Sequence, residues 1–188
     1  SNRLPLPSTV HWHGLRLEAR FDGVPHLTQE PVAPGASFSY RLRFPDGGIY
    51  WYHPHVRDDI QQDLGLYGNI LVQPAGVAWP PAAHEEFLLL DDLLVNPDGL
   101  VPYGRDTATH AAMGRMGNLL LVNGEPTWRR TVRQGERVRL FLTNAASART
   151  WNLGWDRAAR MELVGGDIGG YPAPVPVEHI VIAPAERQ

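Results

Sequence analysis

The segment STVHWHGLRL, residues 8–17, decides how the rest of the sequence is interpreted. The aromatic and β-branched residues here predict a strand over residues 10–18. Because residues i and i+2 of a strand face the same side, His11 and His13 are expected to present two imidazole rings side by side. Neutral imidazole is a good ligand for copper, zinc, nickel and iron. The segment therefore predicts a strand that carries one half of a metal site.

A second pair of histidines occurs in GIYWYHPHV, residues 48–56, where His53 and His55 flank Pro54. Proline cannot donate to a sheet ladder, so it places this pair at the end or edge of a strand. One His-x-His motif is weak evidence, whereas two among 188 residues favour a shared metal site. Two alternatives stay open, a purely structural role for each pair and a closed four-histidine zinc site.

The rest of the chain predicts short strands. Residues 38–44, FSYRLRF, alternate strictly between apolar and polar side chains, which is the period of a half-buried strand. Nineteen glycines and 17 prolines supply many turns. Helical periodicity is weak, with one or two turns predicted at 58–64 and an irregular stretch without clear period at 101–117. We therefore expect an all-β fold of two modules, residues 1–75 and 85–188, joined by a proline-rich linker at 76–84.

Composition excludes several classes of function. The formal net charge of −3, without a basic cluster, argues against nucleic-acid binding. No apolar run approaches the roughly 20 residues of a membrane-spanning helix. The absence of cysteine excludes disulfides, thiol nucleophiles and a copper–thiolate centre from these 188 residues.

The two histidine segments resemble the first two copper-binding motifs of the multicopper oxidases, and the chain as a whole is similar to bacterial laccase-like members. Further matching stretches are DGVPHLTQEPVAPGASFSYRLRF at 22–44, GLYGNILV at 65–72, LLLDD at 88–92, MGNLLLVNG at 116–124 and GERVRLFLTNAAS at 135–147. The resemblance implies consecutive cupredoxin domains, which are Greek-key β-barrels or sandwiches. We expect two of them here, the first without its opening strands and the second without its final strands.

The resemblance also implies ligands for half of a trinuclear copper cluster, which takes eight histidines in this family. By position, His11 corresponds to a ligand of the type 2 copper. His13 and His53 correspond to ligands of one type 3 copper, and His55 to a ligand of the other. Asp22 matches an acid that relays protons to oxygen as it is reduced, although an Asp-Gly pair also suits a simple turn.

The implied activity is one-electron oxidation of a reducing substrate (a phenol, an aromatic amine or a metal ion), coupled to four-electron reduction of O2 to water. Family members complete the cluster, and add a type 1 copper, with a C-terminal cupredoxin domain whose motifs are absent here. We therefore expect a fragment that is inactive alone and that comes from a periplasmic or secreted protein. The alternatives are a copper-sequestering module without catalysis and a relative of the two-domain nitrite reductases, against which the lack of cysteine argues.

Overall fold

Strands dominate the computed structural model, which describes residues 1–73, 79–155 and 159–188. In chain order they are β1 (His11–His13), β2 (Gly48–His53), β3 (Gly68–Val72), β4 (His84–Leu93), β5 (Val95–Asn96), β6 (Gly99–Leu100), β7 (Leu119–Val122), β8 (Val138–Asn144), β9 (Trp151–Gly154), β10 (Met161–Gly165), β11 (Gly170–Val177) and β12 (His179–Ile182). The helices are α1 (Asp58–Gln61), α2 (Thr107–Met113) and a 3-10 turn (Ala19–Phe21). In these described ranges, no helix is long and apolar enough to cross a membrane.

The first sheet has the order β1-β2-β3, and both of its pairings are antiparallel. Because β2 lies in the middle, its residues Ile49, Tyr50 and Trp51 are buried. The strand ends at His53, as the proline that follows it predicted. The register places His11 opposite His53, so the two histidine motifs lie side by side on neighbouring strands.

The second sheet forms around β4, which pairs antiparallel with β7 and parallel with β8. Alternate leucines of β4, Leu88 and Leu90, face one side and pack with Leu142 and Ile182 in a buried cluster. Burial of each such side chain stabilises the fold by about 1.5–3 kcal/mol. This cluster is the main apolar core of the second half of the chain.

Six further strands form three separate two-stranded sheets, β5 with β6, β9 with β12 and β10 with β11. The all-β prediction is therefore confirmed, with helix confined to short segments. Within the described part of the chain the sheets are open, and none of them closes into a barrel.

A buried polar network joins the segment after α1 to the second sheet. The Tyr67 hydroxyl donates to Asp91 Oδ2 at 2.7 Å, while Asp63 accepts from the Tyr103 hydroxyl and pairs with Arg115 at 2.7 Å. Burial raises the pKa of Asp91 to about 7, and it raises the pKa of Asp63 as well. These contacts hold the segment that follows the second histidine motif against β4.

The alternating segment 38–44 was predicted to be a strand, but it forms no strand in the structure. Tyr40 is half-buried and its hydroxyl accepts from the Val10 amide at 3.0 Å, whereas Phe38 and Phe44 are exposed. The segment forms no ladder with a described strand, so the alternation here does not produce a half-buried strand.

The predicted linker at 76–84 lies partly outside the described residues. Residues 79–83 carry neither helix nor strand, and β4 begins at His84. The helix α2 lies in a region that the sequence indicated to be irregular.

Candidate metal centre

Four imidazole rings converge at the end of the first sheet. The ring centroid of His11 lies 5.5 Å from that of His13, 5.3 Å from that of His53 and 4.9 Å from that of His55. The His13–His53 and His53–His55 separations are 5.5 and 5.4 Å. Ring nitrogens of His11, His13 and His53 lie within 4.8 Å of one another, which makes these three side chains a group of candidate metal ligands.

Backbone carbonyls orient two of these rings. The Nδ1 atom of His11 lies 2.8 Å from the carbonyl oxygen of Asp22, and that of His53 lies 2.9 Å from the carbonyl oxygen of Pro54. A carbonyl can only accept, so each Nδ1 carries the proton and each Nε2 keeps a free lone pair. Such an arrangement fixes the tautomer and the direction of a metal-binding imidazole.

His13 and His53 face each other directly. The Nδ1 atom of His13 lies 3.3 Å from Nε2 of His53, whose other nitrogen is already bound to the Pro54 carbonyl. Metal–imidazole bonds are about 2.0–2.1 Å long, so two nitrogens on one ion lie at most about 4 Å apart. The 3.3 Å between these two nitrogens lies within that limit.

Three of the four rings are held neutral by their surroundings. Burial lowers the pKa of His13 to about 4, and the positive charge of Arg187 acts in the same direction. Burial also lowers the pKa of His53 to about 4, against the opposing effect of its hydrogen bond to Pro54. The pKa of His55 is lowered as well, chiefly by burial. Neutral imidazole is the form that binds metals.

In the metal-free protein we expect His13 and His53 to stay neutral as the pH falls from 6.5 toward about 4. The unfolded chain binds more protons than the folded chain over this range, so acid favours unfolding. Nitrogen-detected NMR titration of the ring signals, assigned with the His13→Ala and His53→Ala variants, measures this directly. Titration of either ring near pH 6.5 would contradict the buried, neutral site.

The pocket that contains the rings has walls from both halves of the chain. Trp51 stacks on the ring of His53, with 4.4 Å between centroids and 28° between planes. Gln62 also lines the pocket, and its amide donates to the carbonyl of Ala145, which follows β8. The second half contributes Ala146, Ser147, Pro184 and Ala185 to a cavity of about 210 Å³.

The donor set fits copper. It consists of imidazoles, a ligand type that suits copper, zinc, nickel and iron, and two of its rings have backbone partners that direct the Nε2 lone pair. No cysteine is present, so a thiolate-bound copper cannot form from these residues.

The structure brings all five predicted site residues together. The four histidines share the pocket, and the Asp22 carboxylate lies 3.3 Å from His11 Nδ1. The other four histidines of the chain line no part of this pocket. The pocket residues after position 140 were not predicted, because no motif or spacing connects them to the histidines.

Comparison with known proteins gives consistent matches. The family model described as multicopper oxidase matches residues 1–76. The multicopper oxidase MmcO of Mycobacterium tuberculosis is 30% identical over 222 aligned positions, which cover 100% of this chain and 42% of that protein. Laccase-1 of Emericella nidulans is 50% identical over 84 positions, which cover 44% of this chain and 14% of that protein.

Among solved structures, the multi-copper oxidase of Pseudomonas thermotolerans superimposes with a TM-score of 0.85 at 34% identity. The match covers 99% of this chain and 45% of that one. The chain thus spans less than half the length of these three relatives.

Proposed function

The chain belongs to the multicopper oxidase family, and from that premise we propose that it supplies four histidine ligands to the oxygen-reducing copper cluster of a laccase-like enzyme. Its fold is accordingly of the cupredoxin class, as the resemblance implied. The proposal rests chiefly on one observation, the convergence of four imidazole rings from the ends of two adjacent strands into one pocket.

Each histidine is assigned a copper by its position in the motifs. His13 and His53 hold one type 3 copper, an assignment supported by the 3.3 Å between their facing nitrogens. His55 binds the other type 3 copper, and His11 binds the type 2 copper through Nε2. Copper held by these histidines would pass four electrons from the reducing substrate to O2, which with four protons gives two molecules of water.

Asp22 serves the site in two ways in this proposal. Its backbone carbonyl accepts the Nδ1 proton of His11 and so holds that ring, while its carboxylate lies 3.3 Å from the same nitrogen. The carboxylate side chain is one-third exposed, which allows it to exchange protons with solvent. Reduction of O2 to water consumes four protons, and Asp22 is placed to pass them into the pocket.

The remainder of the cluster has to come from outside these 188 residues. Four histidines are half of the ligand set that the family uses, and the relatives are more than twice as long as this chain. We propose that residues 1–75 and 85–188 form two cupredoxin domains and that a further C-terminal domain supplies the missing ligands and the type 1 copper. A periplasmic or secreted location and a phenol, aromatic amine or metal ion as reducing substrate complete the proposal.

The purified 188-residue chain, after incubation with copper, is expected to consume no O2 with a phenolic dye. The longer protein that contains it is expected to oxidise the dye in a copper-dependent reaction. An oxygen electrode and dye absorbance measure both, and circular dichroism shows that the short chain is folded. Copper-dependent oxidation by the short chain would refute the proposal that half of the cluster ligands lie outside these 188 residues. Tight copper binding by an inactive longer protein would instead favour a copper-sequestering module.

A further inference from the structure

The guanidinium group of Arg187 lies buried between the two halves of the chain, and its residue is only 4% exposed. Nε donates to the carbonyl of Ile49 in β2 at 3.1 Å. Nη1 donates to the carbonyl of Ala185 at 3.1 Å and pairs with the Asp167 carboxylate at 2.8 Å. One side chain therefore binds the strand that ends in His53 and a turn of the second half.

The same guanidinium packs against the backbone that follows His13. A Cβ atom at Gly14 would overlap with Nη2 of Arg187, so the glycine provides room for this approach. Gly14 also has φ +84°, a left-handed conformation that glycine adopts readily. Arg187 thus touches the chain beside His13 as well as the strand that carries His53.

The turn that Arg187 holds forms part of the pocket wall. Pro184 and Ala185 line the cavity that contains the four rings. Ala185 has φ +70°, which is an unfavourable conformation for alanine and persists only where neighbouring contacts impose it. The Ala185 amide donates to the Asn144 carbonyl at 2.9 Å, and the Ala185 carbonyl accepts from Arg187.

We propose that Arg187 is a positioning residue that locks this turn onto the strands of His13 and His53, and so fixes the pocket in its metal-binding shape. The inference rests on the proposed function, because it assumes that copper binds these histidines. The proposed role belongs to a residue that does not line the pocket itself and that lies 138 positions from its hydrogen-bond partner Ile49.

Two effects of removing the Arg187 side chain, the loss of its charge and the loss of its contacts, are expected to change copper affinity in opposite directions. A buried positive charge repels a metal cation, so loss of the charge alone would strengthen copper binding. Loss of the contacts that Arg187 makes would weaken copper binding, because outer partners of metal ligands commonly contribute about 10–100-fold to metal affinity. The direction in which copper affinity changes therefore distinguishes a positioning role from a purely electrostatic one.

The test uses the full-length protein with the variants Arg187→Met, Arg187→Lys and Asp167→Asn. Arg149→Met is the matched control. Like Arg187, Arg149 pairs with a carboxylate, that of Asp92, and donates to a backbone carbonyl, that of Gly117. Both of these partners lie in the second half of the chain, so Arg149 does not join the two halves through them. Copper(II) affinity is measured by chelator competition, the histidine-bound copper by its EPR spectrum, and stability by thermal unfolding.

We expect Arg187→Met to weaken copper(II) binding at the histidines by about 10-fold or more and to change the EPR spectrum. Arg187→Lys and Asp167→Asn are expected to have smaller effects in the same direction. Arg149→Met is expected to lose stability and to keep the affinity and spectrum of the parent protein. Unchanged or tighter binding in Arg187→Met overturns the positioning role, and so does an equal loss in Arg149→Met. A full-length protein that binds as many copper ions per chain in His13→Ala and His53→Ala as in the parent refutes the proposed function itself.

Discussion

Replacement of His11 by alanine in the full-length protein is expected to remove the type 2 copper signal and to slow O2 reduction by more than about 100-fold, since even an outer partner of a ligand is worth 10–100-fold. His11 is central in the pocket, with its ring within 5.5 Å of the other three ring centroids. Its Nδ1 is engaged by the Asp22 carbonyl, so Nε2 is its only free ligand atom. EPR quantifies the copper, and O2 consumption measures the rate.

His26→Ala is the control for this prediction. The His26 ring is exposed and pairs with Glu30 at the surface, outside the pocket. We expect this variant to retain both the copper signal and the rate. A full type 2 signal in His11→Ala would show that His11 has been assigned to the wrong copper.

Replacement of Asp22 by asparagine is expected to slow turnover by about 100-fold while copper occupancy stays largely intact. General acid–base groups contribute roughly 10²–10⁴-fold to the reactions that they assist. The backbone carbonyl, which the substitution preserves, holds the His11 ring, so the variant isolates the effect of the carboxylate. Steady-state turnover and copper content per chain are the two measurements.

Asp98→Asn provides a matched control, because Asp98 lies on an exposed turn between β5 and β6. It is expected to leave turnover unchanged. Loss of copper from Asp22→Asn would instead assign a structural role to the carboxylate, and wild-type turnover would remove Asp22 from the proton path.

The core of the site could be predicted from local sequence patterns. Two His-x-His motifs have a strand period, and Pro54 ends the second strand where the pattern indicated. The pairing of His11 with His53 across β1 and β2 then brings the rings together. The copper assigned to each ring depends on the resemblance to the family and stays a prediction.

Strand predictions from local sequence patterns were wrong or too long where strand formation depends on pairing with distant segments. Residues 38–44 alternate as a strand does, but a ladder requires an adjacent strand with free donors and acceptors, and none of the described strands pairs with this segment. The strand predicted over residues 10–18 is paired only from His11 to His13, because Gly14 turns the chain with φ +84°.

The outer wall of the pocket could not be predicted from sequence at all. Arg187 and Ile49 are joined across 138 positions, and Gln62 and Ala145 across 83. No periodicity or motif links residues so far apart, because such contacts are set by how the two halves pack. The function of Asp22 was predicted from its carboxylate, whereas the closest contact with His11 is made by its backbone carbonyl.

The central claim is that His11, His13, His53 and His55 bind copper together. Anomalous diffraction at the copper absorption edge, from crystals of the copper-loaded full-length protein, tests it most directly. Anomalous peaks are expected within bonding distance of all four rings, including one shared by Nδ1 of His13 and Nε2 of His53. Copper peaks elsewhere in the molecule, with none at these four rings, would contradict it.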